Sequence, residues 1–164
     1  MERAALASVV RAVPLPDLVR GSSAVLVLTV LDAESHFGDV GRRRRIVTDT
    51  RCRVEDVLAK GRGISSEVMV RTLGGTVGDL GEQVQGQARL GLGATCVAFL
   101  VKGSSDLHYV NAMAQGHYPL VERPARLTQS PDLGSIIDFE ASAVRELVGR
   151  SLSDARARVQ ELAR

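Results

Sequence analysis

The chain has 164 residues, enough for one domain that buries its own core. Hydrophobic residues make up 45%, aromatics only 3%, and Trp is absent; the core must come from Val, Leu, Ile and Ala, and the scarcity of aromatics argues against a base-stacking nucleic-acid surface. Lys and Arg number 21 against 19 Asp and Glu, a net charge of +2 that predicts no polyanion partner.

The N-terminal Ala5-Leu6-Ala7 fits a small-x-small cleavage pattern without the positive and apolar regions of a secretory signal, so it reads as the end of a trimmed signal or as a short amphipathic arm. Ser8–Val13 alternates, and Pro14 and Pro16 then open a turn of helix over Asp17–Arg20. The longest apolar run, Ala24–Val30, is strand-sized and too short to span a bilayer, so no transmembrane segment is expected. The strand is predicted to run over Ala24–Ser35, with a loop at His36–Gly41 and a second strand from Ile46 to Leu58. There Thr48, Thr50, Cys52 and Val54 point one way and Asp49, Arg51, Arg53 and Glu55 the other, the pattern of a half-buried antiparallel strand.

Lys60–Gly63 turns the chain into a third strand, Glu67–Leu73. Gly recurs at 74, 75, 78, 81, 86, 91 and 93, which predicts tight reversals with a short strand at Glu82–Gly86. Strands follow at Thr95–Lys102 and Leu107–Ala114, the latter running on to Val121. Five principal strands between turn signals predict a Greek-key barrel or a sandwich over residues 1–123. Residues 124–164 read as a linker and helices: Val144, Leu147, Val148, Leu152, Ala155, Val159 and Leu162 form an amphipathic stripe, split near Gly149 and capped by Ser151 or Ser153. That stripe covers the barrel or, as the alternative, pairs with another subunit in a homo-oligomer.

The glycine stretch lacks Gly-x-x-x-x-Gly-Lys-Ser/Thr and any dinucleotide fingerprint, and no Cys or His spacing suits zinc, so no cofactor or metal is expected. No nucleophile elbow is present, and no catalytic residues are nominated. An enzyme would have to use His108 or His117 with a nearby acid at the barrel mouth. Arg42, Arg43, Arg44 and Arg45 are the sharpest charge feature, suited to an anionic group or acidic partner. With Gln115, His117, Tyr118 and the Gly74–Gly93 loop they form the expected binding face. Cys52 and Cys96 read as buried small hydrophobes, with one disulfide between them open if the chain is exported.

The order of motifs resembles a family of exported bacterial domains of unknown function. These have a leading "VVR…LxxLV" arm, a strand ending in a variant of "VEDVLKG", a "GGxxGxxGxxVxG" segment and a closing "AQGxY/F" strand, here Val9–Val19, Val54–Gly61, Gly74–Gly93 and Ala114–Tyr118. More distantly, the order is similar to netrin-like and metalloproteinase-inhibitor domains, which implies an OB-like five-stranded barrel. Inhibition in that group depends on an N-terminal Cys that chelates zinc, and nothing equivalent begins this chain. The resemblance implies a periplasmic or cell-surface location. The expectation is a non-catalytic exported binding module with a protein partner, a protease or another envelope protein. The alternative is a structural subunit of an envelope assembly.

Overall fold

The computed structural model describes residues 9–121 and 123–164. The signal-like Ala5–Ala7, and Ser8 at the head of the expected first run, lie outside the described residues. The fold is mainly β, with one large sheet and a few C-terminal helices. In chain order, β1 (Val9–Arg11) and α1 (Leu15–Gly21) lead into two long strands, β2 (Ala24–Val40) and β3 (Arg43–Ala59), then β4 (Glu67–Leu73). The glycine-rich stretch forms a small hairpin, β5 (Gly75–Val77) and β6 (Leu80–Glu82), before β7 (Thr95–Lys102) and β8 (Leu107–Val110). A 3-10 turn at Met113–Gly116 precedes β9 (His117–Val121), β10 (Arg126–Leu127), β11 (Ser135–Ile137), α2 (Ala143–Leu147) and α3 (Leu152–Leu162).

Five strands pair in a circuit: β2 with β3, β3 with β4, β4 with β8, β8 with β7, and β7 back to β2. Only the β4–β8 step is parallel. The β2–β3 register shifts at three places, between Val25 and Leu26, Val27 and Leu28, and Val30 and Asp32. Such irregularities add twist and let long strands bend.

The apolar run of β2 is continuous because both of its faces are buried. Leu26, Leu28 and Val30 join Cys52, Val68, Val70, Cys96, Ala98 and Leu100 in one cluster, with Val110 of β8 packed against it. Val25 and Val27 face the other way, into a second cluster with Val97, Phe99, Tyr118 and the helices. Phe99 and Tyr118 meet edge to face there, with ring centroids 5.9 Å apart. The helices form where apolar residues recur at three- and four-residue steps: Leu15, Leu18 and Val19 in α1, Val144 and Leu147 in α2, and Ala155 and Val159 in α3 are all buried. Ser142 and Ser151 cap α2 and α3 by accepting from the amides of Arg145 and Asp154 at 3.1 and 3.2 Å. Apart from the exposed Val148, the C-terminal stripe therefore lies in the core of its own chain. Among the described residues, no helix is long and apolar enough to cross a membrane.

Several element boundaries differ from the sequence expectation, and two short strands, β10 and β11, lie in the stretch read as linker. The predicted His36–Gly41 loop is strand: β2 continues to Val40, pairs with Arg43, and turns only at residues 41–42. This part of the hairpin has left the core, so no apolar run marks it. The short strand in the glycine stretch is Leu80–Glu82 rather than Glu82–Gly86. The predicted continuous strand from Leu107 breaks after Val110, and the chain turns before β9. Gly116 permits that turn, since a Cβ there would sit 2.0 Å from the Asn111 carbonyl oxygen.

Candidate functional site

Beyond Thr29, β2 leaves β7 and continues with β3 as a hairpin arm. Its tip carries the arginine run, and the four side chains have different fates. Arg45 pairs with Glu82 of the glycine-rich hairpin. Arg44 lies over the Phe37 ring, 4.9 Å from its centroid, in a cation–π contact. Arg42, Arg43 and Arg44 are exposed and have no ion-pair partner among the described residues. Phe37 and Val40 are exposed beside them.

The glycine-rich hairpin folds back on the distal half of this arm, just behind its tip. Glu82 accepts the Ile46 amide at 3.0 Å, and Thr48 donates to the Gly74 carbonyl at 2.7 Å. Gly75 allows the close approach: a Cβ there would lie 2.3 Å from the Ser35 hydroxyl, at a φ of +136°. A cleft of about 580 Å³ opens between this hairpin, the middle of β3 and the end of β4, lined by Thr50, Thr72, Thr76, Gln83 and Gln87. Its hydroxyls and amides suit a neutral polar group. The Arg89–Asp132 ion pair, 2.9 Å long, also borders it.

The outward face of β2, β3 and β4 is charged as the alternation implies, and most of the charges, Glu34 excepted, are paired among the described residues. Arg51 bridges Asp32 and Glu67 at 2.5 and 3.1 Å. Arg71 grips Asp49 through two bonds of 2.7 and 2.8 Å, and His36 Nε2 is 2.8 Å from the same carboxylate. Arg71 and then His36 hold the Asp49 pKa below its ordinary value. In turn the Asp49 carboxylate, helped by the Phe37 carbonyl 3.1 Å from Nδ1, raises the His36 pKa. Sequence reasoning missed this triad, because it exists only once the registers of β2, β3 and β4 place the three residues side by side.

Gln115, His117 and Tyr118 are not brought to the arginines. All three are buried, at 4%, 2% and 0% exposure, and support the fold. Gln115 Oε1 accepts the Val13 amide and its Nε2 donates to the Arg11 carbonyl, both at 2.9 Å, so it pins the N-terminal arm. His117 Nδ1 is 2.8 Å from the Ser130 hydroxyl, and burial lowers its pKa to about 4. Tyr118 lies in the helix-covered cluster, where burial raises its pKa. Neither His108 nor His117 has a hydrogen bond to a carboxylate among the described residues. Cys52 and Cys96 are free thiols in one cluster, with no bond between them, and burial pushes each up to about 12. Among the described residues, no group of three or more His, Cys, Asp or Glu is placed to hold a metal ion.

No protein-family model, curated protein or solved structure matches the chain.

Proposed function

We propose that this chain is a non-catalytic binding module, an OB-like five-stranded Greek-key barrel displayed outside the cytoplasm, whose hairpin arm engages an acidic protein partner. The barrel is supported by the strand order β2–β3–β4–β8–β7, in which β7 pairs back to β2 and β4–β8 is the single parallel step. Export rests on the resemblance carried by Val9–Val19, Val54–Gly61, Gly74–Gly93 and Ala114–Tyr118.

One observation carries the contact surface. Arg42, Arg43 and Arg44 have no ion-pair partner among the described residues, at the tip of an arm that also exposes Phe37 and Val40. Guanidinium forks match carboxylates in a bidentate geometry, and an apolar margin suits a protein surface. Behind the tip the sheet face is neutralised by its own pairs, which favours a local acidic patch over an extended polyanion. Assembly through the C-terminal stripe has less support, since Val144, Leu147, Ala155 and Val159 are used inside the chain.

A fluorescent Glu-rich peptide, titrated by anisotropy at two salt concentrations, tests the arm. Saturable binding that weakens with salt is expected, together with a loss of about tenfold or more in the combined Arg42→Ala, Arg43→Ala, Arg44→Ala variant. Absence of binding, or binding unchanged in that variant, removes the arm as the contact surface.

A further inference from the structure

The strand directions place a second cleft at the end of the circuit away from the arm, where β2 starts, β3 ends, β4 starts, β7 ends and β8 starts. Its volume is about 500 Å³, and His108 and Lys102 both line it. They are cross-strand partners in the β7–β8 register, so their side chains stand on one face as neighbours. His108 is only 7% exposed, and its Nδ1 has no hydrogen-bond partner among the described residues. A buried ring nitrogen left without a partner is unusual in a settled interior and calls for a water, an ion or a ligand atom from the cleft.

The charges around that nitrogen favour an anion. Arg62 from the β3–β4 loop and Lys102 from β7 line the cleft, and neither is in an ion pair among the described residues. Arg51 of β3 and Glu67 of β4 also reach it, but they are bonded to each other. Asp106 in the β7–β8 turn is the one remaining carboxylate, so two uncommitted cations face one uncommitted acid. Burial, and then Lys102, keep the His108 pKa below its ordinary value, while Asp106 acts weakly the other way.

We infer that this cleft binds a small oxyanion, the carboxylate or phosphate of a low-molecular-weight ligand, held by Lys102 and Arg62 with the His108 imidazole donating from beneath. The site is independent of the arm and of any protein bound there. Neutral imidazole carries one N–H, and an anion accepting it also offsets the repulsion from Lys102. Binding is therefore linked to an upward movement of the His108 titration.

Imidazole NMR of the whole chain, in a non-coordinating buffer, reads this directly. Inorganic phosphate and acetate are titrated separately. A saturating shift of the His108 resonances and a higher His108 midpoint are expected with at least one of them, while His36 and His117 stay in place. Saturation by phosphate alone assigns a phosphoryl ligand, by acetate alone a carboxylate, and by both the shared oxyanion chemistry. Lys102→Gln and Arg62→Gln are each expected to weaken binding about tenfold, with the urea midpoint unchanged because both side chains are at the surface. No movement with either anion, a shift that never saturates, or full binding in both variants overturns the inference.

Discussion

Arg45 and Glu82 lock the glycine-rich hairpin to the arm just behind its tip. The guanidinium pairs with one carboxylate oxygen, and the other accepts the Ile46 amide at 3.0 Å. Arg45 first, and then that amide, hold the Glu82 pKa below its ordinary value. A turn-rich segment with little apolar burial thereby gains a side-chain anchor beside the Thr48 and Ile46 bonds to Gly74.

Glu82→Gln is expected to free this hairpin while leaving the strands beneath it intact. Amide exchange should quicken across Gly75–Glu82 and stay slow in β2 and β7. Because the folded pKa is depressed, the anchor stabilises above the ordinary glutamate range and weakens as pH falls through the lower folded value. Equal exchange in both proteins would mean that something else holds the hairpin.

His117 makes acid unfolding steeper. Its folded pKa is lowered to about 4 by burial, against about 6.5 in an unfolded chain. The neutral ring is favoured in the fold, so stability is full above pH ~6.5 and falls on the way down to ~4. The loss is of the order of 3 kcal/mol. Urea midpoints between pH 4 and 7 should vary less in His117→Gln; an unchanged acid slope would contradict the assignment.

His36 has the opposite sign. Its raised pKa means that its contribution is complete below the unfolded value and disappears as pH climbs through the folded one. Comparing wild type with His36→Leu, the stability difference should narrow above neutrality. A difference that widens with alkalinity would count against the Asp49 contact as its origin.

Leu147 is fully buried between α2 and the sheet. Leu147→Ala should lower unfolding stability by about 2–5 kcal/mol, read by urea denaturation. A cost under ~1 kcal/mol would place α2 outside this core.

The two thiols provide a chemical check on the interior. In the native protein Cys52 and Cys96 should react slowly with an aromatic disulfide reagent, since both are buried with raised pKa values. In denaturant without reductant both should titrate; recovery of neither would establish a disulfide.

Legibility followed local periodicity. The Thr48–Glu55 alternation has one face buried through Thr50 and Cys52 and the other carrying Arg51 and Arg53, and Ser151 caps the last helix as its position suggests. What depended on distant partners was not readable. Gln115 and His117 look like rim residues in sequence because they are polar, yet each has an interior partner: the Arg11–Val13 arm for one, Ser130 for the other. The arm's length was hidden because strands outside a core lose the apolar signal that marks them. His36, Asp49 and Arg71 lie on three strands, so only pairing register brings them together.

The pinning of the N-terminal arm also sets an order of events during synthesis. β1 pairs with β11, Gln115 holds Arg11 and Val13, and the Val13 carbonyl accepts the Ala143 amide. This segment therefore cannot find its place until Ser135–Ile137 and Ala143, far behind it in the chain, have been made. Leu15, Leu18 and Val19 lack the part of their cover that α2 and α3 supply until those helices emerge, which leaves an apolar helix face open while the intervening strands are made. A chaperone that shields this segment would act on the nascent chain long before the strands have closed over their own core.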